Sequence, residues 1–117
     1  MSKPMVFLAS QEVEGVLSPD DQVVLFEDVV TAGGSVRRNV EALQSKGARV
    51  IGIGSVLDRG SEKSRLDGVP YASLFYLSET VLPFLLREQL VDPAAIAAAQ
   101  RFSSAVSAHL ASCHGCA

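Results

Sequence analysis

Four short apolar segments, separated by polar or glycine-containing turns, are the most regular feature of the chain. Gln22–Phe26 is apolar without alternation, which is typical of parallel strands covered on both faces. In Arg49–Leu57 the run Gly52-Ile53-Gly54 predicts close packing of the strand against a helix. The four predicted strands are Val6–Ala9, Gln22–Phe26, Arg49–Leu57 and Tyr71–Leu77.

Helical periodicity fills the segments between and after these strands. Val36, Val40 and Leu43 recur at i, i+4 and i+7 and predict one apolar helix face. Gly47 suits the position just after the end of that helix. Two further helices are predicted over Glu79–Leu90 and Pro93–Leu110, the second with Asp92 as its N-cap and Pro93 at its first position.

The order of strand, helix and strand from residue 22 to residue 57 predicts a right-handed βαβ unit. The fold class is therefore α/β, with a small, mostly parallel sheet flanked by helices in one domain over residues 1–117. Such a narrow sheet has exposed edges, so we expect it to need a partner or a further segment. Residues 111–117 are predicted to be a disordered tail.

Composition narrows the classes of protein and partner. The net charge is −3 and no dense Lys/Arg stripe is present, which argues against a nucleic-acid partner. No apolar run approaches the roughly 18 residues of a membrane helix, and the N-terminal apolar stretch is too short for a signal peptide. We therefore expect a cytoplasmic protein with no membrane partner.

Cys113 and Cys116 lie in the last five residues, with His114 between them and His109 one helical turn earlier. A single CxxC pair is a weak metal or redox signal, because a tetrahedral zinc site needs four ligands. His109 could be a third ligand, but a fourth would have to come from a second chain. The sequence therefore predicts no metal centre and a tail without function.

The candidate ligand-binding residues cluster where the second predicted strand leads into the first predicted helix. Glu27 and Asp28 follow the strand, and Thr31-Ala32-Gly33-Gly34-Ser35 forms the turn. A helix N-terminus with glycines and hydroxyls favours a phosphate, and carboxylates suit vicinal hydroxyls or a hydrated Mg²⁺. The alternative is a plain connecting turn in which the acids cap the backbone. No P-loop or GxGxxG motif is present.

The stretch "VVLFEDVVTAGGS", Val23–Ser35, resembles the signature with which type I phosphoribosyltransferases bind phosphoribosyl pyrophosphate (PRPP). The resemblance extends through "NVEALQSKGARVIGIGSVLDRG" and "GVPYASLFYLSETVLPFLLREQL" to the C-terminal half of orotate phosphoribosyltransferases. "KPMVF" is similar to the strand that precedes that family's mobile catalytic loop. The resemblance implies a partial type I phosphoribosyltransferase fold covering about half of a usual family member.

What the resemblance implies about function is transfer of ribose 5-phosphate from PRPP to orotate, giving orotidine 5′-phosphate and pyrophosphate. Mg²⁺ would accompany PRPP, and the enzyme would be a homodimer. Asp28 would be the catalytic residue, and Thr31 and Arg59 would contact orotate. The residues implied to bind PRPP are Glu27, Asp28, Val29, Val30, Thr31, Ala32, Gly33, Gly34 and Ser35.

One stretch departs from the family pattern. The family's mobile loop is rich in Lys, Arg and His, which stabilise the departing pyrophosphate, whereas Leu8–Gly15 has none of these and carries Glu12 and Glu14. Three hypotheses stay open: a truncated orotate phosphoribosyltransferase of reduced competence, a non-catalytic PRPP- or nucleotide-binding or sensing module, and a dimerisation or scaffold fragment without a ligand.

Overall fold

The structure, a computed structural model, describes residues 5–9, 12–60, 65–66 and 68–112. The strands are β1 (Phe7–Ala9), β2 (Glu12–Glu14), β3 (Gln22–Val30), β4 (Arg49–Asp58), β5 (Arg65–Leu66) and β6 (Val69–Tyr76). The main sheet has the order β3–β4–β6–β5, in which β3, β4 and β6 are parallel and the short β5 is antiparallel to β6. The predicted α/β class with a mostly parallel sheet is confirmed.

Helix α1 (Gly34–Ser45) connects β3 to β4 and covers one face of the sheet. Val36, Val40 and Leu43 are buried, which confirms the predicted apolar face. They pack with residues of β3, β4 and β6 in a single core cluster. Beyond the helix, Gly47 has a φ of 85°, and its N–H donates to the Gln44 carbonyl. Glycine fits this position because a side chain disfavours positive φ.

Strands β1 and β2 form a separate antiparallel pair, in which Ala9 is opposite Glu12. Leu8 and Val13 face each other across this pair and pack against the core cluster. Glu12 and Glu14 are exposed. The two acidic side chains of the stretch Leu8–Gly15 therefore lie on β2, which pairs with β1.

The C-terminal helices follow β6 at the carboxyl edge of the sheet. A π-helical turn (Leu77–Val81) leads into α2 (Leu82–Arg87), so the predicted single helix over Glu79–Leu90 is wrong in its bounds. Helix α3 (Pro93–Ser112) begins as predicted, because Asp92 Oδ1 accepts a hydrogen bond of 2.7 Å from the Ala94 N–H. Helix α3 includes residues 111 and 112, the first two of the predicted tail. Residues 113–117, with both cysteines, lie outside the described residues, so the prediction for them stays untested.

The face of the sheet opposite α1 is open, contrary to the prediction that both faces are covered. Val24 and Phe26 are 62% and 65% exposed, and Leu74 on β6 is 68% exposed. Gly54 lies beside Phe26, whose ring a β-carbon at position 54 would approach to 3.0 Å. The glycines of β4 therefore pack against the neighbouring strand, and not against a helix as predicted. None of the helices in the described part of the chain is long and apolar enough for a membrane crossing.

Candidate functional site

The acid pair lies within the strand and does not end it. Strand β3 continues through Glu27 and Asp28 to Val30, because Val29 pairs with Leu57 and Val30 with Asp58 of β4. The predicted strand end at Phe26 is therefore four residues too early. The two neighbouring strands end together, and their last residues and the turns after them form the carboxyl edge where ligands bind in open α/β sheets.

The two acids are in different surroundings. Glu27 is half-buried, and its Oε1 accepts a 2.7 Å hydrogen bond from Asn39 Nδ2 of α1. Asp28 is exposed on the strand's other side, and its Oδ1 accepts a 2.6 Å hydrogen bond from the Val29 N–H. Neither carboxylate is sealed from water, so both can accept hydrogen bonds from a ligand.

The turn after β3 directs the chain into α1. Gly33 is the N-cap with φ 83°, and a β-carbon there would lie 3.3 Å from Leu66 Cδ2. Among the described residues no side chain caps this helix end. The N–H groups of a helix's first turn have no acceptor within the helix, so those of Gly34 and Ser35 are suited to an anion.

The remaining residues of the predicted PRPP set have unequal access. Thr31, Ala32 and Ser35 are exposed. Val29 is 39% exposed, whereas the Val30 side chain is 2% exposed in the core. Val30 can therefore act only through its backbone, and its carbonyl is already used by the next loop.

That next loop follows β4 and carries Arg59. The Arg59 N–H donates to the Val30 carbonyl at 2.7 Å, which joins the two turns at their bases. Gly60 lies against the Thr31 carbonyl oxygen, with which a β-carbon at position 60 would collide. Thr31 and Arg59, the two residues predicted to contact a base, therefore lie on turns that are in direct contact.

A buried polar network behind this loop was not predicted. Asp58 is 2% exposed, and both of its carboxylate oxygens are occupied. Oδ1 accepts the Gly60 N–H at 2.7 Å, and Oδ2 accepts the Tyr71 hydroxyl at 2.8 Å. The Tyr71 hydroxyl also lies 2.8 Å from Ser55 Oγ, which is 2.9 Å from Ser73 Oγ. No buried side-chain nitrogen or oxygen of the described residues lacks a hydrogen-bond partner.

Tyr71 is held in its neutral form by this network. Several causes together raise the pKa of Tyr71 from 10.0 to about 12, and removal of the hydroxyl from water is the largest of them. The hydrogen bond to Asp58 and the charge of Asp58 also act to raise this pKa, while the hydrogen bonds with Ser55 and Ser73 act to lower it. Tyr71 is therefore a permanent donor to Asp58 at neutral pH.

The sequence carried only one signal for this network. Ser55, Asp58, Tyr71 and Ser73 are spread over 19 positions and become neighbours because Ser55 pairs with Ser73 across β4 and β6. Polar residues at inward positions of an apolar strand are the signal that could have identified it. Within the described ranges, no group of three or more His, Cys, Asp or Glu side chains is placed to hold a metal ion.

Comparisons with known proteins agree with the fold and the signature. The chain is 43% identical over 72 residues to an orotate phosphoribosyltransferase of Aquifex aeolicus, a match covering 59% of this chain and 39% of the relative. It is 35% identical over 94 residues to the orotate phosphoribosyltransferase of Halalkalibacterium halodurans, covering 74% and 44%. The chain thus spans less than half the length of the curated relatives it matches.

A solved structure gives the same relationship in three dimensions. The UMP synthase of Leishmania donovani superimposes with a TM-score of 0.70 at 25% identity, over 82% of this chain and 22% of that protein. A scan against protein-family models gives no match. The likeness rests on sequence relatives and on a shared fold.

Proposed function

We propose that this chain, which over its matched residues belongs to the type I phosphoribosyltransferase family, forms the PRPP- and orotate-binding part of an orotate phosphoribosyltransferase. The observation that carries the proposal is the pair Glu27–Asp28 beside a turn that leads into an uncapped helix N-terminus. Carboxylates next to free N–H groups suit a ligand with both hydroxyls and a phosphate.

The ligand contacts follow from the two turns. Glu27 and Asp28 accept hydrogen bonds from the ribose 2′- and 3′-hydroxyls, while the N–H groups from Thr31 to Ser35 receive the 5′-phosphate. Gly33 allows this turn because its φ of 83° is disfavoured for any residue with a side chain. Arg59 and Thr31 then face the base from adjacent turns.

The proposed reaction joins N1 of orotate to C1′ of PRPP and breaks the bond from C1′ to the pyrophosphate oxygen. Positive charge develops on the ribose as pyrophosphate leaves, so positioning and charge stabilisation are the main contributions of the protein. In this proposal Asp28 is the catalytic residue, because its carboxylate lies beside the ribose ring on which that charge develops. Pyrophosphate carries away the electron pair of the broken bond, and the proton that N1 of orotate loses passes to solvent.

Mg²⁺ fits this site as a companion of PRPP. Glu27 and Asp28 offer the hard oxygen ligands that Mg²⁺ prefers. The described residues lack a larger acidic cluster, so these two acids would share the ion with the ligand's oxygens. When bound, Mg²⁺ neutralises charge on the diphosphate.

A second candidate function is non-catalytic binding of PRPP or a nucleotide. The observation that favours it is the hairpin formed by β1 and β2, whose described polar side chains include the exposed Glu12 and Glu14. Acidic side chains repel a diphosphate, whereas transfer requires cations near it. A chain with this hairpin can hold a ribose phosphate without promoting the departure of pyrophosphate.

Two assays separate these functions. Calorimetric titration of the purified chain with PRPP and Mg²⁺ tests binding, and an assay that detects orotidine 5′-phosphate tests transfer. Binding with turnover supports the transferase, and binding without turnover supports the binding module. Absence of binding contradicts both and leaves a scaffold fragment.

The family resemblance extends the proposal to a cytoplasmic homodimer acting on small molecules only, as one domain over residues 1–117. Sedimentation of the purified chain at several concentrations tests the homodimer. A monomer at all concentrations would remove the dimer from the proposal while leaving the ligand site unaffected.

A further inference from the structure

We propose that Asp58 and Tyr71 are positioning residues that fix the Arg59 turn against the phosphate-binding turn, and thereby set the selectivity of the site for a ligand that carries a base. This inference rests on the proposed function and deepens it. It assigns a role to buried side chains that do not contact the ligand themselves.

Asp58 determines the shape of the Arg59 turn from within. Its Oδ1 accepts the N–H of Gly60, two residues later, so the carboxylate closes a tight turn around Arg59. Asp58 is 2% exposed, so water does not compete effectively for this bond. The backbone direction of Arg59 is therefore set by the carboxylate of its neighbour.

Tyr71 in turn fixes the rotamer of Asp58. Its hydroxyl donates to Oδ2 at 2.8 Å, and Tyr71 lies on β6, which pairs in parallel with β4. Ser55 holds the same hydroxyl from β4 at 2.8 Å. Two strands of the sheet thus support one carboxylate, which leaves it a single orientation.

The fixed turn then contacts the turn after β3. The Arg59 N–H donates to the Val30 carbonyl, and Gly60 lies against the Thr31 carbonyl. A change in the Asp58 rotamer would therefore move Arg59 relative to Thr31. It would have less effect on Gly34 and Ser35, which are held by α1.

This difference gives a test with two probes. Ribose 5-phosphate requires only the acids and the phosphate-binding turn, whereas orotidine 5′-phosphate also requires the Arg59 turn. For the wild-type chain we expect tighter binding of orotidine 5′-phosphate. For Tyr71→Phe we expect a loss of about three- to tenfold in affinity for orotidine 5′-phosphate, the range of one hydrogen bond, and less than about twofold for ribose 5-phosphate.

Matched variants separate positioning from general damage to the fold. Ser73→Ala alters the far end of the same network, where Ser73 bonds to Ser55 and the Phe75 carbonyl, and should leave the affinity ratio of the two probes unchanged. Gly60→Ala forces the two turns apart without touching Tyr71 and should lower the ratio as Tyr71→Phe does. Combining Tyr71→Phe with Arg59→Ala should cost no more selectivity than Arg59→Ala alone, because Tyr71 acts through Arg59.

The outcomes are distinguishable. If Tyr71→Phe and Gly60→Ala both leave the affinity ratio of the two probes unchanged, whether or not the affinities themselves fall, the positioning role is overturned and the proposed function stays intact. If the wild-type chain binds neither probe, the proposed function fails and the inference fails with it.

Discussion

Glu27–Asp28 lie near the carboxyl end of β3 and Asp58 is the last residue of the neighbouring β4, yet their surroundings are opposite. Asp58 is 2% exposed and both of its oxygens are bonded to protein donors. Asp28 is exposed, and its Oδ1 accepts a hydrogen bond from the N–H of the next residue, Val29. Glu27 is half-buried, and its Oε1 accepts one from Asn39. The comparison shows that position at the functional edge does not make an acid a ligand group. We therefore expect Glu27 and Asp28, which keep unused oxygens, to bind a ligand, whereas Asp58 stabilises the turn after β4.

The largest expected effect on stability comes from removing the carboxylate of Asp58. Asp58→Ala would remove the carboxylate acceptor of the buried Tyr71 hydroxyl and of the part-buried Gly60 N–H. Each such group costs about 1–3 kcal/mol, so we expect a loss of about 3 kcal/mol in the free energy of unfolding. Chemical denaturation measures this loss.

Asp28→Ala is the matched control for that experiment, because it removes the same carboxylate from an exposed position of the neighbouring strand. We expect a change within about 0.5 kcal/mol. Equal losses of stability for the two variants would contradict a structural role for Asp58 that Asp28 does not share.

The next effect is a pH dependence from Tyr71. Because the folded chain raises the pKa of Tyr71 to about 12, folded Tyr71 retains its proton between pH 10 and pH 12 whereas unfolded tyrosine loses it. The contribution of Tyr71 to stability is therefore complete below pH 10 and falls as the pH rises to 12.

Tyr71→Phe provides the control. Denaturation curves at several pH values should show a smaller fall for Tyr71→Phe than for the wild-type chain in this range. Parallel falls in the two proteins would contradict a buried hydroxyl bonded to Asp58.

The smallest expected effect concerns Asn39 of α1, which donates a hydrogen bond to Glu27, one of the two acids proposed to bind the ligand. Asn39→Ala frees Glu27 Oε1 to solvent at a half-buried site, so we expect a loss of about 1 kcal/mol or less in stability. The affinity for PRPP and Mg²⁺ should fall by about threefold, because Glu27 is then less ordered before binding. Calorimetry measures this affinity, and a tighter complex in the variant would show that Asn39 competes with the ligand.

Short-range sequence patterns were sufficient to predict the features that depend on neighbouring residues. The spacing of Val36, Val40 and Leu43 identified the buried face of α1, and Asp92 before Pro93 identified the start of α3. The signature also located the acids and the glycine turn. These features depend on residues that are near one another in the sequence.

The features that pattern did not give depend on pairing between strands. Strand β3 extends past Phe26 because Val29 and Val30 find partners on β4, which overrides the tendency of adjacent acids to end a strand. The Asp58 network requires β4 and β6 to lie side by side, and the close approach of Gly54 to Phe26 requires β3 beside β4. These contacts join residues that are far apart in the sequence, so a pattern along the chain does not predict them.

The most direct test of the central claim is titration of Glu27→Gln/Asp28→Asn with PRPP and Mg²⁺, beside the wild-type chain. The substitutions keep the size of both side chains and remove both charges. We expect at least about a tenfold loss of affinity, since bonds to charged groups contribute about 1.5–3 kcal/mol, with an unchanged free energy of unfolding. Undiminished binding by this variant would contradict the assignment of the exposed acids as the ligand groups of the site.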